Sequence, residues 1–471
     1  MRKPKIGVMG FSESGGSVNQ EQALVAQKKL ENFIKILENT GELEIIKSNQ
    51  LIDSVKIAKR ETLKLLSQDV DATIFYYGIF TYPNISVVAA KYGKKPFLLF
   101  SELDGNYTAS VGLISSGSAL SQLGIDHFRV VGNSDQDSRA IEKVLAFSRC
   151  ASVVNQLNGQ RYGLIGGRCL GMYNISASIQ EWMYKFGIDI EHIDQAEILR
   201  IADTIPQEVA EKAYEWMEKL FAEIKLEGIK LSKGKLLTQI KHYEAIKEII
   251  KIYELDFVSV KCHYEMSKHY CTECLSAAFF NDPYDWNGLK ETTVFACEAD
   301  SDAALTMQIL KLLTGDPITF MDVRHYDEVY DAVVFTNCGS FSTFYANRSR
   351  EAVDNLKNVV IYPCLDLFSG GGSNLSFMAR AGKVTIARLS RKLNGKYCMI
   401  IMPAEFIEVP KERMELSTKE WPHVFAKVPC DYRVLFETLN ANHCHAVYGN
   451  WIDELSMICR MLDIDVEILY Y

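Results

Sequence analysis

Three short stretches of this 471-residue chain gather side chains able to do acid–base or metal chemistry. The first, Cys297-Glu298-Ala299-Asp300-Ser301-Asp302, brings three acids close together where an apolar strand gives way to a helix. A helix start welcomes acids, because carboxylates meet its free N–H groups, so the cluster reads equally as a solvated cap. Strand alternation instead puts Glu298 and Asp300 on the same side of a strand's C-terminal end, where two carboxylates can bind a hard cation or move protons. The second stretch is Asn442-His443-Cys444-His445. A His-x-His on a strand places both imidazoles on one face, as metal ligands require, although core or surface histidines fit the pattern as well. The third holds Cys262, His263, His269, Cys271 and Cys274. It contains a CxxC but no second pair, and structural zinc takes four well-spaced ligands, so free thiols beside an active-site loop are expected.

These groups need elements to hold them. Lys5–Met9 predicts a strand running into the loop Ser12-Glu13-Ser14-Gly15-Gly16-Ser17, followed by a helix over about 20–39. The loop lacks GxGxxG and the GK[ST] ending of a phosphate-binding loop, so an ordinary strand-to-helix turn is expected. Asp71–Tyr77, Pro96–Phe100 and Phe128–Gly132 are continuous apolar runs, the mark of parallel strands buried on both faces. A second unit of the same kind opens at Arg161–Gly167 and continues through Phe186–Ile190 and Phe257–Cys262. The charged stretch over about 206–225 predicts a solvated amphipathic helix. After a strand at Thr292–Cys297 and a helix over about 302–313 come shorter β-like pieces at 332–335, 383–388 and 397–401, and a last helix over about 451–462. The predicted fold class is α/β: two doubly wound, Rossmann-like domains over 1–155 and 156–325, then a β-rich C-terminal domain over 326–471.

The bulk properties are those of a globular protein, with 48% hydrophobic and 24% charged residues. A net charge of −9 argues against a nucleic-acid partner. No apolar run approaches the roughly 20 residues that span a bilayer. Twelve irregularly spaced cysteines fit reduced thiols, hence a cytoplasmic protein, better than a disulfide framework.

As an ordered set, the motifs resemble the L-fucose isomerase family, which is related to the L-arabinose isomerases. Tyr284-Asp285-Trp286-Asn287-Gly288 followed by Cys297–Ser301 is similar to that family's DWNG and TENDS stretches. Leu313-Thr314-Gly315 and Asp322-Val323-Arg324-His325-Tyr326 are similar to its LTG and ADVRTY. Phe368–Gly372 resembles its RGGG loop, and Ala441-Asn442-His443-Cys444 its ANHG. Gly166–Met172 with Asp194–Ile198 resembles the start of its second domain.

The resemblance implies a metal site of one Glu, one Asp and one His. Asp300 and His443 take two of those places, and Asn442 becomes a substrate contact. Glu273 is the implied glutamate and shares proton transfer with Asp300, with Glu265 and Glu298 as alternatives. His445 and Arg168 are candidate substrate contacts; Arg168, Arg380 and Arg388 are candidates to hold an anionic group on a sugar. The implied activity is metal-dependent aldose–ketose isomerisation of a deoxy or related sugar, L-fucose- or D-arabinose-like, through an enediolate. The implied cation is Mn²⁺, or Mg²⁺ or Co²⁺, with no nucleotide cofactor. Two further readings stand beside it: isomerisation of an anionic hexose such as sulfoquinovose, and a non-catalytic sugar-binding homologue. The family also implies a homo-oligomer, a trimer or hexamer, with no membrane or nucleic-acid partner.

Overall fold

A computed structural model describes residues 2–13, 20–338 and 341–470, and the chain separates into two compact units, Met1–Gln156 and Leu157–Tyr471. Most of the predicted Gly/Ser loop, from residue 14 on, lies outside the described residues.

The first unit is built on five parallel strands: Lys5–Phe11, Glu44–Lys47, Ala72–Tyr77, Phe97–Ser101 and Phe128–Val131. Counted along the chain, their order in the sheet is 2-1-3-4-5, and helices connect them. Ala72–Tyr77 and Phe97–Ser101 are buried along their whole length. Crossover helices cover both faces of such a sheet, which is why these segments are continuously apolar. Phe11, Phe75, Tyr77 and Phe97 pack together in its core.

The second unit holds two larger sheets. One is parallel, in the order Phe295–Cys297, Phe257–Val260, Arg161–Ile165, Asp189–Ile193. The other runs Gly382–Arg391, His443–Tyr448, Met321–Asp327, Ala332–Thr336, His423–Lys427, Tyr397–Phe406. Gly382–Arg391 also pairs with Tyr397–Phe406, so this antiparallel sheet closes on itself, and closure removes exposed strand edges. Both parallel sheets and the β-rich C-terminal sheet expected from the sequence are present. One core of buried apolar side chains runs from Ile165, Val258 and Phe295 of the parallel sheet to Phe335, Ile386 and Ile400 of the closed one.

The predicted helices appear at Gln20–Asn39, Gln207–Leu220 and Ser301–Thr314. The expectation that the chain ends in a helix needs correction. After the helix Ile452–Met461, a strand at Asp465–Ile468 adds in parallel to Tyr397–Phe406. Asp-Val-Glu-Ile is too short for its alternation to stand out, and its pairing partner is distant in sequence.

Candidate active site

Asp300 ends the turn after Phe295–Cys297 and caps the helix Ser301–Thr314, its Oδ1 accepting from the Ala303 amide at 2.9 Å. The sequence expectation of a cap is therefore met, but the carboxylate is fully buried and does more. Arg388, itself buried, forks onto it with contacts of 2.8 and 3.2 Å. From 143 residues away, the His443 Nδ1–H donates to Asp300 Oδ2 at 2.7 Å. Burial alone would raise the Asp300 pKa; the Arg388 guanidinium and the His443 ring hold it well below the usual carboxylate range. Both Asp300 oxygens are thus occupied.

The other nitrogen of His443 faces Glu298 and Asp322. Its Nε2 lies 3.3 Å from Glu298 Oε2 and 3.4 Å from Asp322 Oδ1. Neither contact has hydrogen-bond geometry, and this buried nitrogen has no hydrogen-bond partner among the described residues. With Nδ1–H given to Asp300, a neutral ring would turn its Nε2 lone pair toward two carboxylates. That arrangement is repulsive unless a proton or a cation sits between them. Burial opposes charging the ring, yet Asp322, Asp300 and Glu298 push its pKa up to about 10. Asp322 is itself pushed up to about 6, by burial first and by the Glu298 charge, against the pull of His443. A buried nitrogen aimed at two carboxylates suits a divalent cation with oxygen and imidazole ligands.

Local structure explains how the groups meet. Asp322 and His443 are direct partners on adjacent antiparallel strands, so their side chains lie side by side. The Asp322 oxygens accept from the Asn337 amide at 2.7 Å and the Asn442 amide at 3.1 Å, which fixes the carboxylate's direction. Glu298 and Ala299 both adopt left-handed backbone, with φ of 59° and 54°. For residues with a Cβ this costs about 1–2 kcal/mol each and persists only where the surroundings over-determine it. The strand stops at Cys297, so alternation does not govern Glu298 and Asp300. The left-handed turn sends them to opposite nitrogens of one imidazole.

Glu273 lies in a different cluster. The His242 Nδ1–H donates to its Oε1 at 2.6 Å and the Ser276 hydroxyl to its Oε2 at 2.9 Å, while Cys271 Sγ sits 3.4 Å from His242 Nδ1. Burial would lower the His242 pKa, but Cys271 and Glu273 raise it well above the ordinary value. Glu265 is paired with Lys261 at 2.8 Å and is largely exposed. Of the three glutamates, Glu298 is the one in contact with His443.

The remaining sequence candidates scatter. Asn442 reaches the site through Asp322. His445 is buried, with Nδ1 against the Thr319 carbonyl at 3.1 Å, and shares the Phe320 ring with His443. Burial and the Arg388 charge hold its pKa well below 6.5. Arg168 is exposed and lies over the Tyr173 ring at 4.9 Å. Arg380 pairs with Glu408 at 3.1 Å on the surface, and Arg388 is taken by Asp300, so neither has a free guanidinium to offer an anion. Sequence reading gave no role to Asp322. Its signal was its place in the Asp322–Tyr326 motif, whose partner strand was not identifiable.

Among the described residues, two further groups bring three ligand atoms within 4.8 Å of one another: His242, Cys271 and Glu273, and His263, Glu298 and Cys338. In the described residues no helix is long and apolar enough to cross a membrane. None of the twelve cysteines is joined in a disulfide.

Comparison with known proteins matches three consecutive family models: L-fucose isomerase, first N-terminal domain, at residues 3–159; second N-terminal domain, at 260–315; and C-terminal domain, at 335–469. Among similar curated proteins is a sulfoquinovose isomerase from Clostridium sp. (strain MSTE9), 26% identical over 76% of this chain and 75% of that protein. A sulfoquinovose isomerase from Priestia aryabhattai is 22% identical over 90% of this chain and 91% of its own length. An L-fucose isomerase from Clostridium perfringens (strain 13 / Type A) is 25% identical, over 76% and 74%. The matched models lie in the same order along one chain, and the relatives align over most of both lengths. This chain belongs to the L-fucose isomerase family and is an aldose–ketose isomerase.

Proposed function

We propose that the isomerisation is metal-dependent and runs at the Glu298–Asp322–His443 cluster, moving a carbonyl between C1 and C2 of an open-chain sugar. The observation that carries this reading is the unpartnered, buried His443 Nε2 held against two carboxylates. Glu298, Asp322 and His443 would hold the cation, and Mn²⁺ or a similar hard metal suits that donor set. When bound, the cation would polarise the carbonyl and stabilise the negative charge that develops on O1 and O2. Asp300 keeps its place in the proposal as the group that fixes the tautomer and direction of His443, with Arg388 holding Asp300 in turn. Glu298 replaces Glu273 in this reading as the second acid.

The chain's own groups then account for the proton. An aldose must lose its C2 proton and regain one at C1. Asp322, whose two oxygens are aimed by the Asn337 and Asn442 amides, is the group placed to accept and return that proton. We place Glu298 and Asp300 at the end of the parallel sheet and Asp322 with His443 on the closed sheet, and take the enzyme to work as a trimer or hexamer in the cytoplasm. A monomer mass in light scattering would count against that assembly.

For substrate we favour a deoxy sugar of the L-fucose or D-arabinose kind. A second reading, an anionic sugar such as sulfoquinovose, is favoured by the names of two of the relatives reported above. Arg168 is then the candidate for the sulfonate, since among the described residues it has no carboxylate partner. Protein freed of metal and reloaded with Mn²⁺, Mg²⁺ or Co²⁺ should convert an aldose on a panel that pairs L-fucose and D-arabinose with sulfoquinovose. Equal turnover with and without chelator would remove the metal reading. Turnover of sulfoquinovose alone would replace the neutral-sugar reading.

A further inference from the structure

His263, Glu298 and Cys338 each bring one ligand atom to within 4.8 Å of the other two, and all three are buried. They come from three separate segments. His263 follows the strand Phe257–Val260, and Glu298 follows its parallel neighbour Phe295–Cys297, whose Cys297 pairs with Val260. Side by side, the two strands release their next residues at the same end of the sheet. Cys338 follows Ala332–Thr336 of the closed sheet.

The imidazole of His263 is held in place. Its Nδ1 lies 3.2 Å from the Ser267 hydroxyl and its ring stacks on Phe368, centroids 4.8 Å apart. That loop packs tightly: a Cβ on Gly370 would come within 2.9 Å of the Ser267 carbonyl, so glycine is what allows Phe368 to reach the histidine. The ring also hydrogen-bonds the Cys338 side chain, so two of the three groups already touch, and a cation between them would take the place of that hydrogen. Cys338 is anchored as well, its carbonyl accepting from the Cys274 thiol at 2.5 Å.

This donor set differs in kind from the one at His443. Glu298, Asp322 and one imidazole are mostly hard oxygen ligands; Cys338 adds a soft sulfur and His263 a second imidazole. Thiolate with imidazole selects zinc-like cations over manganese or magnesium. Zn–S and Zn–N bonds of about 2.3 and 2.0–2.1 Å put tetrahedral ligand atoms roughly 3.3–3.8 Å apart, which a small contraction of this cluster reaches. We propose that His263, Glu298 and Cys338 form a binding position for a soft divalent cation, zinc or cobalt, beside the hard-cation position and sharing Glu298 with it. A cation seated there draws on the same carboxylate that faces His443, so the two positions compete.

The test reads no turnover, so it stands apart from the isomerase reading: a protein that converts no sugar still answers it. Metal-free protein titrated with Co²⁺ should develop a saturable near-ultraviolet sulfur-to-cobalt charge-transfer band. Cys338→Ser should abolish that band, and Cys271→Ser, in the His242 cluster, should retain it. X-ray absorption of the zinc-loaded wild-type protein should show sulfur at about 2.3 Å, whether or not the serine variant folds. A band that survives Cys338→Ser, or zinc spectra fitted by nitrogen and oxygen alone, overturns the proposal.

Discussion

Two buried histidines of the second unit sit against acids, and they are built to opposite ends. His242 meets one carboxylate, Glu273, whose second oxygen is filled by Ser276, and a thiol stands beside the ring. His443 meets three carboxylates, two of them facing a nitrogen without a hydrogen-bond partner. Both rings are pulled toward the charged form. The difference lies in satisfaction. A hydrogen-bonded pair with no excess of charge is stable as it stands, whereas two carboxylates around one lone pair call for a cation. A buried acid next to a histidine is therefore weak evidence of chemistry, and the surplus acid is the informative part.

The comparison can be broken by mutation. The largest effect is expected from His443→Ala: bound metal, read by elemental analysis, and activity should both fall about 100-fold or more, with partial recovery in excess Mn²⁺. Unchanged metal content would end the distinction between the two histidines. Asp300→Asn should follow. It leaves Arg388 buried beside an uncharged amide and His443 without its anchor, at a cost of about 3–5 kcal/mol in urea unfolding and a roughly 10–100-fold loss of metal affinity.

Glu273→Gln sharpens the contrast from the other side. Loss of the His242 partner should cost about 1–3 kcal/mol of stability, while metal affinity stays near that of the wild type. A Glu273→Gln protein that folds normally and loses its metal would return Glu273 to the ligand set.

The smallest effect concerns a third histidine, His423, which has no acidic partner among the described residues. Its Nδ1–H donates to the Trp421 carbonyl at 2.9 Å, its Nε2 is buried and unpartnered, and burial holds its pKa to about 4. Because the folded value is depressed below the ordinary 6.5, its contribution is present above pH 6.5 and lost as the pH falls toward 4. Going from pH 7 to 5.5 should cost about 1 kcal/mol through this residue, and His423→Gln should flatten that part of the melting-temperature profile.

Much of the scaffold was determined by the sequence alone, because local pattern carries it. Continuous apolar runs such as Ala72–Tyr77 announce strands buried on both faces, and an acid before an apolar helical stretch announces the Asp300 cap. The ordered motifs from Tyr284 to Cys444 identified the family without any contact being known. Tertiary structure alone decided which groups meet. Asp322 reaches His443 through strand register, Arg388 reaches Asp300 across 88 residues, and Glu273 turns to His242, a partner that local spacing gave no reason to choose. The same is true of Glu298, whose direction depends on a left-handed turn that neither Glu nor Ala favours. Hydrophobic periodicity is written along the chain, but cross-strand register and strained turns are settled by packing between segments far apart in it, and the chemistry of this site lies at those junctions.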